Sequence, residues 1–539
     1  MDTSGTLFSD RYPWLWIFVV AGALLYIPFI GGVHLFDWDE INFAEISREM
    51  ITTGDYLRVQ VDYKPFFEKP PLFFWIQSLS MHVFGINEFA ARLPNALCGI
   101  VVLVFLFKLG SHWVDNKFGV LWALSYMGSL LATLYHKSGI IDPWFNLFIF
   151  AAIASWVEGW QKSNAKWFLL SGMLSGLAVL TKGPVAPLLI GMTVLVMSIA
   201  SRGSRFISVK SVLLFIAGCA GVAGIWFGVE WLAHGPDFLV AFLKYQVELL
   251  SKSVAGHKGF PGYHFVIALL GIFPASIFAI AAFRKKLFVE NQQTWNMRLL
   301  MIILTLVVLI IFSLVKSKIV HYSSLAYYPL SFLSAWTLYN LLQQNLAWKK
   351  LHSVIGIAVA LIVLLLLFTL PYVGMNLETI KEKIQLDSFT AASLEAEVVW
   401  DVFDFFPGVF FLAVIATSYF LYRKHKNQFA IVILFAGTAF LLNIFLLFFI
   451  GKIEHYSQRA AIEFYKSKEN QQVEIETMGF HSYAPFFYAR KPLMVSSVVK
   501  QQFVVLKKDK EGLLEGNKEL KVMYEKNGFI FTATSANAQ

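Results

Sequence analysis

The feature that most constrains this chain is a succession of long apolar runs divided by short basic loops. A helix needs about 20 mostly apolar residues to cross a bilayer. Runs of that order occupy 14–33, 93–110, 118–136, 141–160, 166–182, 184–200, 211–233, 264–283, 298–315, 322–342, 351–374, 407–422 and 428–450. Of the 539 residues, 57% are hydrophobic and 15% charged, against about 25% charged in an ordinary soluble domain. So much apolar surface has to be solvated by lipid. The sequence predicts an α-helical polytopic membrane protein of about 13 spans.

The net charge of +9 does not point to nucleic acid, because no basic helix or aromatic-interleaved basic patch is present. Lys108 and Lys117, Lys162 and Lys166, Arg202, Arg205 and Lys210 fall in alternate loops. So do Arg284 to Lys286, Lys349 and Lys350, and Arg423, Lys424 and Lys426. The positive-inside bias puts this set, and the N-terminus, in the cytoplasm. With an odd number of spans, the C-terminal tail is expected outside. Cys98 and Cys219 lie in apolar runs and say nothing about compartment.

Segments 34–92 and 234–263 are then long external loops. In the first, Phe43, Ile46 and Met50 have helical spacing closed by Gly54, and Pro70-Pro71 start a second helix over Leu72 to Phe84. Such partly apolar helices are expected on the membrane surface. The second loop is rich in Gly and His. We divide the chain into a membrane domain, 1–451, and a small soluble α/β domain, 452–539. The latter has strands near 473–477, 502–506 and 528–533 and a helix over 455–467.

Ionisable residues at membrane depth are costly and default to functional candidates. Asp39 follows the first span, where it either caps the helix beginning at Glu40 or serves as a general base. Glu68-Lys69 precede two prolines, as an exposed ion pair or as a desolvated pair beside a phosphate. Asp142-Pro143 reads first as an N-cap. Lys182 breaks two spans, and Lys316, Lys318, His321 and Tyr322 cluster before another. Snorkelling explains either alone, but so many cations on the outer face run against the charge bias. His257 could join Glu68 at a divalent metal. No P-loop, H-E-x-x-H, G-x-S-x-G or dinucleotide fingerprint is present.

Taken in order, Asp39-Glu40, Ala44-Glu45-Ile46, Gly54-Asp55, Phe67-Glu68-Lys69-Pro70-Pro71, Phe84-Gly85, Asn87-Glu88 and Arg92-Leu93-Pro94 resemble the protein O-mannosyltransferase/aminoarabinose transferase group. Asp142, Thr181-Lys182-Gly183-Pro184-Val185 and the Lys318 to Pro329 region continue the match. The resemblance covers roughly residues 14–335 and implies a GT-C fold. It also implies a polyprenyl-phosphate sugar as donor, a lipid or protein acceptor, inversion at the anomeric carbon, and no nucleic acid. It gives Asp39, Glu40 and Asp142 catalytic roles. It puts Lys69, Lys182, Lys318, Tyr322 and Arg48 at the donor phosphate, and Glu68 with His257 at a possible divalent metal ion. Where the aminoarabinose branch carries Arg-Tyr this chain has Asn42-Phe43, and where that branch has Tyr it has Phe66. The expected location is a bacterial inner (plasma) membrane, with the C-terminal domain periplasmic. A transporter or lipid flippase is the alternative, although neither inverted repeats nor mid-membrane broken helices are evident in the sequence.

Overall fold

The computed structural model describes residues 8, 12–201, 206–251, 259–284, 292–343, 348–493, 501–517 and 519–534. Helices stand at every apolar run named above, so the protein is a multi-pass helical membrane protein with a small sheet at its C-terminal end. By length and composition, six described helices can cross a membrane: Glu88–Trp113, Val209–His234, Asn296–Leu314, Lys350–Met375, Val402–Arg423 and Asn427–Ser457. A seventh is the pair Tyr263–Gly271 and Ala275–Ala282, bent by 118°. Pro274, lacking an N–H, precedes the second helix of that pair and interrupts the ladder. The first helix stops at Tyr26, short of Val33, just ahead of Pro28 and the Gly31-Gly32 pair. The run 118–136 is broken between Met127 and Leu130.

Close approach of backbones, rather than bulk, joins the helices Ala165–Thr181 and Val209–His234. A Cβ on Gly172 would lie 2.1 Å from the Phe215 carbonyl oxygen, and one on Gly218 would lie 2.4 Å from that of Leu169. Small residues at such contacts let dispersion act where water gives no hydrophobic drive.

The segment after the first helix forms the helix Asp39–Thr53, ended by Gly54 at φ +72°. This left-handed conformation suits glycine. Phe43 packs edge-on to Phe73, 6.0 Å between ring centres, and lies against Phe74 at 5.7 Å. Phe73 and Phe74 come from the helix Leu72–Phe84, so the predicted apolar stripe is buried against the second predicted helix.

A buried ion pair fixes the start of this segment. Arg92 donates to both Glu40 oxygens, Nε to Oε1 at 2.9 Å and Nη2 to Oε2 at 2.8 Å. It also donates to the carbonyls of Ile30, Val33 and His34. Glu40 additionally accepts from the backbone N–H groups of Phe36 and Gly139. Burial opposes the charged form of Glu40, but Arg92 outweighs it and holds the carboxyl below its ordinary value.

The C-terminal sheet has the order Val473–Met478, Gln501–Lys507, Phe529–Thr534, Leu520–Lys526. The first pair is parallel and the other two antiparallel. The strand Leu520–Lys526 was not anticipated. Its side chains are largely exposed, so no buried face marks it in the sequence. The sheet unit is tied to the first loop. Tyr488 Oη accepts from Leu35 N, Gln458 Nε2 donates to the Leu35 carbonyl, and Tyr63 Oη donates to the Lys491 carbonyl. Beneath Tyr63, Arg48 makes a bidentate pair with Glu45, at 2.7 and 2.6 Å, while Glu49 accepts from Tyr63 N. Burial, then the charge of Glu45, push the Glu49 carboxyl up to about 9.

Arg92→Leu leaves Glu40 buried without its cation, which costs about 3–5 kcal/mol. Thermal unfolding in lipid nanodiscs should show that loss, and Glu40→Leu added to it should recover part of it. For Glu49, the folded value lies above the ordinary 4.5. Its stabilising contribution is therefore complete below pH 4.5 and lost as pH rises through about 9. Wild-type stability should fall across that window, by up to roughly 1.4 kcal/mol per pH unit. Glu49→Gln should flatten the fall, and unaltered pH dependence in the variant would contradict the assignment.

Candidate active site

Two acids occupy the first positions of helices on the face of the bundle that carries the 34–92 loop. Asp39 opens Asp39–Thr53, and Asp142 opens Asp142–Lys162 with Pro143 behind it. Neither caps its helix. The residues before them, Trp38 and Ile141, have helical backbone angles, and no side-chain capping bond is made at either end. Capping requires an extended residue at that position. Both carboxylates are thus free to face one another's surroundings, close to positive helix ends.

Opposite them stand residues from four other parts of the chain. Lys182 follows the last turn of Ala165–Thr181, and its Nζ donates to Asp142 Oδ1 at 2.6 Å. His321, in the short 3-10 helix Val320–Ala326, places Nε2 3.5 Å from Asp39 Oδ2 and 3.7 Å from Asp142 Oδ2. Tyr322 lies under Lys182, whose Nζ is 4.9 Å from the ring centre. Lys69 sits 3.8 Å from Glu68 and 5.0 Å from the centre of the Tyr245 ring. Asp39, Lys182 and Asp142 all act on the Lys69 ammonium, so the five charged residues share one site.

The environment is dry enough to shift these groups. Burial lowers Lys69 below the ordinary amine value, despite the opposing pull of Glu68 and Asp39. Burial likewise lowers His321, against Asp142 and assisted by Lys182. Tyr322 is pushed up by burial, then by Asp142 and Asp39. Tyr245 is pushed up by burial and by Glu68. Such a site strengthens any charge interaction within it.

Of the residues expected here, Asp39, Asp142, Glu68, Lys69, Lys182 and Tyr322 converge. Three others are engaged elsewhere. Glu40 is consumed by Arg92, as described. Arg48 is turned into its pair with Glu45 and toward Tyr63. Lys318 donates to the carbonyls of Phe312, Ser313 and Val315, satisfying the end of the preceding helix. His257 lies outside the described residues. Among the described residues no group of three or more His, Cys, Asp or Glu side chains could hold a metal ion. Glu68 offers one carboxylate with a lysine beside it.

Two residues at the site were not singled out from the sequence. Tyr245 belongs to the helix Asp237–Ser251, in a segment read as a Gly- and His-rich loop. The spacing of Phe238, Phe242 and Tyr245 is the signal that reveals this helix, since both phenylalanines are buried. His321 was noted only as one member of a cationic cluster, although it bridges the two acids.

Comparison with known proteins agrees with this fold. Residues 68–227 match the family described as dolichyl-phosphate-mannose-protein mannosyltransferase. The undecaprenyl phosphate-alpha-4-amino-4-deoxy-L-arabinose arabinosyl transferase of Edwardsiella ictaluri is 28% identical over 348 residues, 63% of this chain and 62% of that protein. That of Pectobacterium atrosepticum is 26% identical over 71% of this chain and 72% of its own. The match to the Edwardsiella protein thus spans somewhat under two thirds of its length. The crystal structure of ArnT from Cupriavidus metallidurans bound to undecaprenyl phosphate superposes with a TM-score of 0.75 at 18% identity. It covers 97% of this chain and 98% of that one. The chain therefore has the GT-C fold seen in ArnT, and its resemblance to the protein O-mannosyltransferase/aminoarabinose transferase group holds both along the sequence and in three dimensions.

Proposed function

We propose that this protein is an integral membrane glycosyltransferase that moves a sugar from a polyprenyl-phosphate donor to a hydroxyl of a lipid or protein acceptor. The observation that carries this reading is the meeting of Asp39 and Asp142 with Lys69 and Lys182 in one buried site. The names of the similar proteins support the donor class, because they are undecaprenyl-phosphate aminoarabinose transferases. A transporter needs no such pairing of a base with phosphate-binding cations.

Asp39 is the less buried acid, its side chain 32% exposed against 3% for Asp142. It can therefore reach an acceptor hydroxyl and remove its proton. Lys69 and Lys182 face the developing charge on the departing phosphate, and a low dielectric makes them worth more there than in water. Lys182 and Asp142 orient each other, so Asp142 serves the lysine rather than the acceptor. Attack from the side opposite the phosphate inverts the anomeric carbon. No nucleotide is required, because the lipid carries the activated sugar.

The donor sugar need not be aminoarabinose. Phe43 is buried between Phe73 and Phe74 and offers no hydroxyl, while Asn42 carries no charge to meet a phosphate. With Arg48 and Lys318 otherwise engaged, phosphate binding rests on Lys69 and Lys182, with the Tyr322 ring beneath the latter. Basic ends such as Lys162 and Lys166 lie at the helix ends opposite Asp142 and Lys182. The positive-inside rule then puts the site on the extracytoplasmic face, with the N-terminus cytoplasmic and the sheet domain periplasmic.

Asp39→Asn should lower kcat at least about 100-fold with donor binding retained. The assay is transfer by purified protein in nanodiscs from a polyprenyl-phosphate sugar. Full activity in the variant would remove the base, and movement of labelled lipid without a new glycosidic bond would mark a flippase instead. Lys69→Ala should weaken binding of undecaprenyl phosphate at least about tenfold, equivalent to roughly 1.4 kcal/mol. Arg48→Lys should leave it within about twofold, a shift of roughly 0.4 kcal/mol.

A further inference from the structure

We propose that His321 is the terminal proton store of the transfer, receiving through Asp39 the proton that leaves the acceptor hydroxyl and holding it between Asp39 and Asp142. The inference rests on the transferase reading above and adds to it a residue and a route. His321 does not touch the reacting atoms. It is a positioning and proton-holding residue that acts through Asp39.

Geometry makes the case. A single nitrogen, Nε2, faces carboxylates that come from two different helices, at 3.5 Å and 3.7 Å. Both separations exceed a hydrogen bond, a spacing that suits a nitrogen carrying no proton between two anions. Addition of a proton there would give two charge-assisted contacts at once. The second observation is an orphan. Asp142 is buried, and its Oδ1 is bound by Lys182, yet Oδ2, the oxygen turned to His321, has no hydrogen-bond partner among the described residues. A buried carboxylate oxygen without a partner is costly, and a proton on His321 Nε2 would supply one.

The groups facing His321 define its behaviour. Asp39 approaches from Asp39–Thr53 and Asp142 from Asp142–Lys162. Lys182 and Lys69 act from the loops that bear them, and Tyr135 stands edge-on at 6.4 Å. Tyr322 follows it in the chain, its ring 5.4 Å from the imidazole centre. Burial and the two lysines favour the neutral ring, and the two acids favour the charged one. The net direction is downward, so the resting site favours the neutral ring, and a gain of negative charge beside it favours the protonated one.

The reaction supplies the reason for that proton. The anomeric C–O bond to phosphate breaks, and its electron pair leaves with the phosphate. The acceptor oxygen forms the new bond to the anomeric carbon, and its O–H proton passes to an Asp39 oxygen and then to Nε2. The donor is a phosphodiester with one negative charge, and the released lipid phosphate carries about 1.5 to 2. A proton retained at His321 offsets that added charge inside a site where unbalanced charge is expensive. Without the store, the proton stays on Asp39; with it, Asp39 is freed at once, and His321 returns its proton to water when the lipid phosphate leaves and the charge balance that favours the neutral ring is restored.

The test is the pH dependence of transfer by the full chain in nanodiscs, using a polyprenyl-phosphate sugar. In the wild type, kcat/KM should rise with pH through one ionisation below the ordinary imidazole value of 6.5. His321→Gln should lower kcat by at least about tenfold, keep the donor KM within about twofold, and lose that limb. His321→Ala should regain activity when free imidazole is added, which a purely structural role would not allow. Wild-type kcat in His321→Gln, or an acid limb that persists in it, would overturn the proposal. So would a wild-type profile without that ionisation, which decides the matter even if the variants misfold. A wild-type protein that binds undecaprenyl phosphate but transfers no sugar would instead bring down the transferase reading itself.

Discussion

The arrangement depends on a residue whose charge is spent on a buried ion pair. Glu40, held by Arg92 and by the Gly139 N–H, ties the first turn of the Asp39–Thr53 helix to Glu88–Trp113 and to the backbone just ahead of Asp142. A buried ion pair of this kind adds little net stability over an apolar pair, yet breaking one half is severe. Its use here is register. With Glu40 fixed on one side of the helix, its neighbour Asp39 has to project about 100° around the axis, toward His321. The same pair gathers the carbonyls of Ile30, Val33 and His34, left over where the first helix ends early. One guanidinium thus closes the backbone account of the turn and aims the adjacent acid.

Two acids at helix starts suggest caps, and the backbone shows why they are not. Trp38 and Ile141 already have helical angles. A helix entered in this way leaves its first N–H groups to other acceptors and releases the side chain of the opening residue. Asp142 spends its freedom on Lys182, which arrives forty residues later in the sequence. Asp39, among the described residues, makes no hydrogen bond and stays partly exposed. One acid is held in place and the other remains available, a division set by the partners each finds across the site.

Much of this was legible in the sequence, and the exceptions have a common cause. Apolar runs, Gly54 and Pro70-Pro71 act through local chemistry, so the helices they announce are where expected. The C-terminal strands with a buried face were visible, and the exposed one was not. Composition shows apolarity but not bends, so the break ahead of Ala275, which turns one run into two short helices, was not visible. Glu40, Arg48 and Lys318 share the motif region with the residues that converge. Only the partners of Glu40 and Lys318, 52 residues away or at a helix end, explain why they are engaged elsewhere. The partner of Arg48 is Glu45, three residues before it, a pairing that helical spacing could have revealed.

The same contrast sorts the buried cations. Arg92 and Lys318 each donate to several carbonyl or carboxylate oxygens, and Lys137 donates to the carbonyls of Leu25, Tyr26 and Pro28. Their charge is committed to the backbone. Lys182 uses one of its three donors on Asp142, and Lys69, among the described residues, makes no hydrogen bond at all. Each of these two rests instead over an aromatic ring, Tyr322 or Tyr245, which steadies a cation without occupying its N–H groups. A buried ammonium with unspent donors is an unstable arrangement unless an anion arrives to take them. A lipid-borne phosphate meets that demand twice, with a charge for both lysines and oxygens for their free hydrogens. The aromatic seats leave most of the N–H groups of both lysines open toward the site, beside the acids that each already meets.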